Sequence, residues 1–224
     1  LSSRLSEDPR RFVKAGFRTA CDILKLVTQI RGGEHPVILP STGINIFAYS
    51  IGAFLAEIML MADHENLFSG SKLFMFCGGS VFSGMYGESR HIMDRLASER
   101  LRIYYNELFD EEIRKHDPVL RRIISGKLGM AFRSMICFSR FSEERERAIK
   151  SLDGRICAVA LAKDRVIPAA GIAGTLGTGN RFEIMDFPYN YIHENPFPVS
   201  DASLASAVDR GFERVFDTAS RFLE

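Results

Sequence analysis

The sequence lacks the features that would place it in a specialised class of protein. It contains no tryptophan, and its 29 basic and 28 acidic residues leave a net charge of only +1. Such a balance provides no general attraction to nucleic acid or anionic lipid, so we expect neither as a partner. The apolar stretch at 44–61 is interrupted by polar and glycine residues, so we expect no membrane span. A composition of 46% hydrophobic and 25% charged residues is ordinary for a soluble globular domain.

The four cysteines, Cys21, Cys77, Cys137 and Cys157, form no motif either. None belongs to a Cys-x-x-Cys pair, and Cys77 and Cys157 lie in apolar segments that predict buried strands. We therefore expect neither a disulfide framework nor a zinc site, and no cofactor. Unpaired thiols favour a cytoplasmic location, although the sequence does not fix the localisation.

The most informative segment that is present is the pentad Ala-Tyr-Ser-Ile-Gly at 48–52, with Ser50 at its centre. An apolar run at 44–47 precedes it and a helical pattern at 53–61 follows it, which predicts a sharp strand-to-helix turn. Small residues two positions to each side of the serine are typical of a nucleophile elbow, where a larger side chain would collide with the turn. The first helical N–H groups, including that of Ile51, suit a developing oxyanion. An ordinary helix N-cap is the alternative.

Two possible partners of the serine follow later strands. Segments at 72–77, 155–162 and 181–187 predict buried strands, and Asp164 and His193 follow the last two of them. In open parallel sheets, sites form outside the carboxyl ends of the strands, so we expect both side chains near the serine. A histidine activates a serine hydroxyl by taking its proton, and a carboxylate fixes the histidine tautomer. The order serine, aspartate, histidine therefore predicts a catalytic triad.

Each of these residues has a commoner structural role when it occurs alone. An aspartate after a strand is usually a turn or cap residue, and a histidine beside a proline-rich loop is usually at the surface. If His193 lies away from Ser50, His91 becomes the replacement base and Asp186 the replacement acid.

These motifs resemble the C-terminal two-thirds of the α/β-hydrolases. The resemblance covers essentially the whole chain and rests on the pentad, on the turn Asp-Arg-Val-Ile-Pro at 164–168 and on the isolated His193. It implies an α/β fold in which parallel strands of a three-layer sheet carry Ser50 as nucleophile. Two positions depart from the usual pattern: Ala48 stands where the family has glycine, and Ile192 precedes the histidine where the family often has glycine.

The resemblance also implies three segments. Residues 1–84 form the core that carries the nucleophile elbow, residues 85–150 form a helical lid insertion, and residues 151–224 carry the acid and the histidine. Amphipathic patterns within 85–150 predict helices, in agreement with such an insertion.

The implied substrate is a small molecule with an ester or similar acyl bond. The N–H of Ile51 would be one oxyanion donor, and the resemblance places Tyr49, Gly78 and Gly79 beside the substrate. Met130 belongs to an apolar, methionine-rich segment of the insertion that would line an acyl pocket. An anionic substrate group would find arginines in the same insertion, at Arg121, Arg122, Arg133 and Arg140.

Further polypeptide is expected beside the first strand. The family places several strands, and the second oxyanion donor, before the helix that we predict at 12–27. The run at 44–47 is apolar at nearly every position, which suits a strand paired on both edges. We therefore expect N-terminal strands that this sequence lacks, supplied by the missing N-terminal half of the same protein or by a second chain.

Two functions remain open. The first is a serine hydrolase of the esterase or lipase type, acting through a Ser-Asp-His triad and an acyl-enzyme. The second is a catalytically degenerate α/β-hydrolase fold that serves as a binding or interaction module, because fold does not imply activity. An aspartate-nucleophile dehalogenase is disfavoured, since the elbow residue is serine.

Overall fold

The computed structural model describes residues 2–86, 89, 93–116, 118–136, 140–199 and 202–224. Its strands are β1 Ile46–Tyr49, β2 Leu73–Phe76, β3 Ile156–Leu161 and β4 Arg181–Met185. Its helices are α1 Ser2–Glu7, α2 Arg10–Arg31, α3 Ile51–Ala62, α4 Arg95–Ile103, α5 Phe109–His116, α6 Pro118–Ser125, α7 Lys127–Ile136, α8 Ser142–Lys150, α9 Ala169–Leu176 and α10 Ala205–Leu223. A π-helical stretch, Tyr104–Leu108, joins α4 to α5.

The four strands form one parallel sheet in the order β1-β2-β3-β4. The predicted α/β class with parallel strands is thereby confirmed. The first strand begins two residues later than predicted, because the side chain of Asn45, rather than its backbone, accepts the N–H of Lys72 at 2.8 Å. The strand then continues directly into the elbow, where the Ser50 N–H donates to the carbonyl of Phe76 at 3.0 Å.

Successive side chains along each strand point to opposite faces of the sheet, which divides the core into two clusters. Leu73 and Met75 of β2 pack in one cluster with residues of α2, α3 and α9, whereas Phe74 and Phe76 pack in the other with residues of α10. Every residue of β2 and β3 is buried, as expected for parallel strands covered on both faces.

The first strand lies at one edge of the described sheet. Within the described residues β1 pairs only with β2, so its other edge is open, and Phe47 is 38% exposed. The sequence pattern predicted that this second edge is paired by polypeptide outside residues 1–224, which stays a prediction, and the apolar residues that suggested it border a groove.

The region between β2 and β3 is helical, as its amphipathic patterns predicted. These helices pack against the amino-terminal ones: α7 lies along α3, and α4 contacts α1. Phe132 of α7 stacks on Phe17 of α2 with ring centroids 4.5 Å apart. The insertion thus shares its core with α2 and α3, and its role as a lid stays a prediction. Among the described helices, none combines the length and the apolar character needed to cross a bilayer.

Candidate active site

Ser50 occupies a strained turn between β1 and α3. Its backbone angles, φ 55° and ψ −126°, lie in a region that residues with a side chain rarely adopt. Hydrogen bonds at both backbone groups of the serine fix this conformation. Its N–H continues the ladder to β2, and its carbonyl accepts the N–H of Ala53 at 3.0 Å. The side chain is therefore presented at the carboxyl edge of the sheet, and Ile51 is the first residue of the following helix.

Crowding at the elbow comes from Gly78 rather than from the flanking glycine of the pentad. A Cβ at position 78 would approach both the carbonyl oxygen of Ser50 and the Cβ of Ala53 to within 3.0 Å. At Gly52, by contrast, an added Cβ would meet no atom of the described chain within 4 Å outside its own helix. Gly78 thus lets the loop after β2 pass directly behind the serine.

Ser50, His193 and Asp164 form a continuous hydrogen-bonded chain. The serine Oγ lies 2.6 Å from His193 Nε2, and His193 Nδ1 lies 2.7 Å from Asp164 Oδ2. A carboxylate only accepts hydrogen bonds, so we assign the imidazole proton to Nδ1, which leaves Nε2 to accept from the hydroxyl. The side chains of His193 and Asp164 are 1% and 0% exposed. The arrangement can move a proton from the serine to a shielded base.

Asp164 is oriented by its own turn. Its second carboxylate oxygen, Oδ1, accepts the N–H groups of Val166 and Ile167 at 2.8 and 3.0 Å. This Asx-type turn follows β3 and leaves Oδ2 directed at the histidine. The Asp-x-x-Ile-Pro motif therefore has a local physical basis, because its backbone holds the carboxylate that the motif contains.

His193 lies at the tip of a two-residue turn in the segment after β4. The turn is closed by Asn195 N–H donating to the Ile192 carbonyl at 3.0 Å, with the reciprocal bond at 3.4 Å. Its two tip residues are each held from outside: the Tyr49 hydroxyl donates to the His193 carbonyl, and the Ser89 hydroxyl donates to the Glu194 carboxylate. The isolated histidine of the sequence is thus a fixed residue of a closed turn.

Asp186, the replacement acid considered from the sequence, contacts residues other than His193. Asp186 accepts the hydroxyl of Tyr191 at 2.7 Å and pairs with Lys163 Nζ at 3.1 Å. The hydrogen bond from Tyr191, reinforced by Lys163, lowers the pKa of Asp186. Asp186 therefore supports the start of the histidine segment, whereas Asp164 contacts the imidazole. The replacement base, His91, lies outside the described residues.

The expected substrate contacts are distributed differently from the sequence-based prediction. Gly79, with φ 95°, faces Met75 and Glu57. Met130 borders a cavity of about 420 Å³ beside Met61 at the carboxyl end of α3. That end lies about 16 Å along the helix axis from the serine, at 1.5 Å per residue. The structure therefore does not bring Met130 to Ser50, because α7 packs along α3 with this methionine towards the far end.

Two of the arginines of the insertion, Arg133 and Arg140, are engaged with protein groups. Arg133 and Arg140 both pair with Asp110, at 2.7 and 2.9 Å, and Arg140 also donates to the Asn106 carbonyl. These two guanidinium groups thus neutralise a carboxylate of their own insertion.

A buried carboxyl behind the elbow was not anticipated from the sequence. Glu57 of α3 is 0% exposed, and neither of its carboxyl oxygens has a hydrogen-bond partner in the described part of the chain. Burial raises the pKa of Glu57 to about 8, and Arg145 only partly opposes this effect. A glutamate inside an otherwise apolar helix, Ile-Gly-Ala-Phe-Leu-Ala-Glu-Ile-Met, was the available signal.

The whole chain, residues 1–224, matches the model of a family of unknown function, DUF6051, and the chain belongs to that family. Comparison with curated proteins finds no match. Over the residues that the structure describes, no group of three or more histidine, cysteine or acidic side chains is placed to hold a metal ion.

Proposed function

We propose that this protein is a serine hydrolase that cleaves ester or similar acyl bonds through an acyl-enzyme. The observation that carries the proposal is the hydrogen-bonded chain from the Oγ of Ser50 through His193 to Asp164. The strained backbone of Ser50 supports it, because such strain persists at functional turns that the surrounding structure holds in place.

The reaction steps follow from the protonation state assigned to His193, with the proton on Nδ1 and Nε2 free to accept. The Oγ of Ser50 attacks the acyl carbon while its proton moves to His193 Nε2, and the carbonyl oxygen becomes an oxyanion. Collapse of the intermediate breaks the ester bond, and the leaving alcohol takes the proton from Nε2. A water molecule then repeats the sequence on the acyl-enzyme, which releases the acid and restores the serine. Throughout, the carboxylate of Asp164 stabilises the imidazolium by accepting from Nδ1.

One oxyanion donor is available at the start of α3. Ile51 is the first residue of this helix, so its N–H belongs to the first turn, which has no intrahelical acceptor. Its position directly after the nucleophile supports the proposed role as oxyanion donor, since the helix dipole favours negative charge there.

A fluorophosphonate probe tests the proposal directly. The probe phosphonylates a serine only where a base activates it, so the parent protein should be labelled at Ser50, as located by peptide mass spectrometry. The Ser50→Ala variant and a heat-denatured sample serve as controls. Hydrolysis of chromogenic esters of increasing acyl length then defines the substrate class. A folded parent protein that is neither labelled nor active would favour the alternative function, a binding module built on the same fold.

We also propose that a further strand pairs along the open edge of β1, which would widen the sheet as the resemblance to the α/β-hydrolases implies. The N–H groups of Ile46 and Ser50 donate to β2, at 2.9 and 3.0 Å. Because strand residues alternate, the backbone groups of Phe47 and Tyr49 are directed at the open edge. These backbone groups are positioned to form hydrogen bonds with an additional strand.

The surroundings of this edge support the same proposal. An apolar groove of about 580 Å³ runs beside β1, and side chains of α2 and α3, including Ile23, Leu26, Leu55 and Met59, line it. A strand in the groove would both cover these side chains and satisfy the backbone groups of β1. A hydrocarbon ligand would leave those backbone groups buried and unpaired, at a cost of about 1–3 kcal/mol each. We propose that the strand belongs to the same protein or to a second chain.

A further inference from the structure

We propose that Tyr49 is a positioning residue that holds His193 in register with Ser50; this inference rests on the proposed hydrolase function. The sequence suggested a substrate contact for Tyr49. The structure instead directs its hydroxyl to the backbone carbonyl of His193, to which it donates a hydrogen bond. The residue that immediately precedes the nucleophile thus contacts the residue that carries the base.

The tyrosine contacts the histidine in two ways. Besides the hydroxyl bond to the backbone, its ring lies nearly parallel to the imidazole, with centroids 5.7 Å apart and an interplanar angle of 18°. The ring of Phe76, at the end of β2, also packs against the ring of Tyr49, with centroids 5.6 Å apart, and supports the tyrosine within the sheet. The hydroxyl restrains the position of the turn, while the ring restrains the tilt of the imidazole.

The histidine needs such a restraint because its segment has little regular structure. Between β4 and the short helix Ala202–Leu204, the described residues form turns and one isolated pair, Ile192 with Asn195. Side-chain bonds must therefore set the position of the turn relative to the elbow. Tyr49, which contacts the turn, is adjacent in sequence to Ser50. A displacement of the elbow therefore displaces the turn in the same direction, which preserves the distance between Ser50 and His193.

The tyrosine is a dependable donor. Burial raises the pKa of Tyr49 above its ordinary value, with smaller contributions from Cys77, Asp164 and Glu194. The phenol therefore keeps its proton over the pH range in which an imidazole can act as a base. A carbonyl can only accept, so the direction of this bond is fixed.

The test compares Tyr49→Phe with Tyr105→Phe in the protein expressed from its complete gene. Both variants remove a tyrosine hydroxyl that donates to a backbone carbonyl, of His193 and of Pro9 respectively. Only the first of these carbonyls belongs to the site. We expect Tyr49→Phe to lower kcat roughly fivefold with KM within a factor of two, since one net hydrogen bond is lost. Tyr105→Phe should change the melting temperature but not kcat. Tyr49→Leu, which also removes the ring, should lower kcat further.

A second readout does not depend on turnover. The Nδ1 proton shared by His193 and Asp164 should give a low-field proton NMR signal in the parent and in Tyr105→Phe. We expect this signal to broaden or move upfield in Tyr49→Phe, because the imidazole is less restrained. An unchanged signal with unchanged kcat would overturn the inference, and a raised KM with unchanged kcat would return Tyr49 to the role of substrate contact. Failure of the parent to react with the fluorophosphonate probe would count against the hydrolase, while the NMR comparison would still decide the role of Tyr49.

Discussion

Gly78 and Ser50 are in such close contact that the elbow depends on a residue outside its own motif. A Cβ at position 78 would come within 3.0 Å of the serine carbonyl oxygen, a separation that real Cβ atoms essentially never show. Because Gly78 follows β2 and Ser50 follows β1, the contact joins the carboxyl ends of two neighbouring strands. The strained turn therefore requires a residue without a Cβ at the end of the neighbouring strand.

The first prediction concerns this contact. We expect Gly78→Ala to lower the free energy of unfolding by about 1–3 kcal/mol and to reduce turnover, because either the loop or the elbow must shift. Gly52→Ala is the matched control, since an added Cβ there meets no described atom within 4 Å. Alanine within a helix should even add up to about 1 kcal/mol of stability. Urea unfolding and ester hydrolysis measure both effects. Equal stability of the two variants would contradict the crowding argument.

The second prediction separates catalysis from stability at the serine. Ser50→Ala should lower turnover by a factor of at least about 10³, because the nucleophile itself is removed. Its melting temperature should remain close to that of the parent, since the hydroxyl contributes to chemistry rather than to packing. Ser220→Ala, an exposed serine on α10, should keep full turnover. Near-parental turnover in Ser50→Ala would remove the serine mechanism.

The third prediction distinguishes the two aspartates. In Asp164→Asn, an amide replaces the oxygen that accepts from His193 Nδ1, so the imidazole loses the tautomer that leaves Nε2 unprotonated. We expect kcat to fall by roughly 10³–10⁴-fold. Asp186→Asn weakens the pair with Lys163 and should leave kcat nearly unchanged. The opposite ranking in steady-state kinetics would assign the acid to Asp186.

Local patterns in the sequence were sufficient to predict the strands and most helices. The apolar runs that became β2 and β3 are buried at every position, so their composition carried the information directly. Chain order also predicted the proximity of Ser50, Asp164 and His193, because parallel strands bring their carboxyl ends to one edge of the sheet.

The detailed side-chain packing around the site could not be predicted in this way. Gly78 was expected beside the substrate, which stays a prediction, but the sequence did not reveal its close packing against the serine carbonyl. Met130 was expected in the pocket but lies at the far end of α3, because the direction in which α7 packs is not encoded in its amphipathic pattern. Tyr49 likewise donates to the carbonyl of His193, a contact that depends on how the two segments pack in the folded chain.

The fourth prediction uses the buried carboxyl of Glu57. Its pKa is raised from 4.5 to about 8 in the folded protein, so between these values the unfolded chain binds fewer protons than the native protein. Stability should therefore fall as the pH rises from about 5 to 8, by up to about 1.4 kcal/mol per pH unit. Glu57→Gln lacks this titration. We expect its melting temperature to rise relative to the parent as the pH increases, and thermal unfolding at pH 5 and pH 8 measures the change.

The matched control for this titration is Glu213→Gln, which alters an exposed glutamate of α10. Its melting temperature should follow that of the parent at both pH values. If Glu57→Gln also follows the parent at both, then Glu57 is ionised in the native protein and the argument from burial is wrong.

The fifth prediction concerns the open edge of β1. Residues 1–224 expressed alone should self-associate, because unpaired backbone groups and an apolar groove lie side by side at this edge. A lysine at the edge, in Phe47→Lys, should reduce the association, whereas Leu96→Lys, at an exposed position on α4, should not. Size-exclusion chromatography with light scattering measures the mass. A monomer of the parent with one cooperative unfolding transition would argue against a partner strand.

The turn that carries His193 closes on itself through Ile192 and Asn195, so its shape does not depend on the chain that follows. Phe197 returns to the core, but Val199 is 91% exposed. We therefore expect insertions or deletions after Phe197 to leave the position of the imidazole unchanged. We expect members of the family to vary in length between Phe197 and α10. The spacing between Tyr189, Tyr191 and the turn that carries His193 should stay constant.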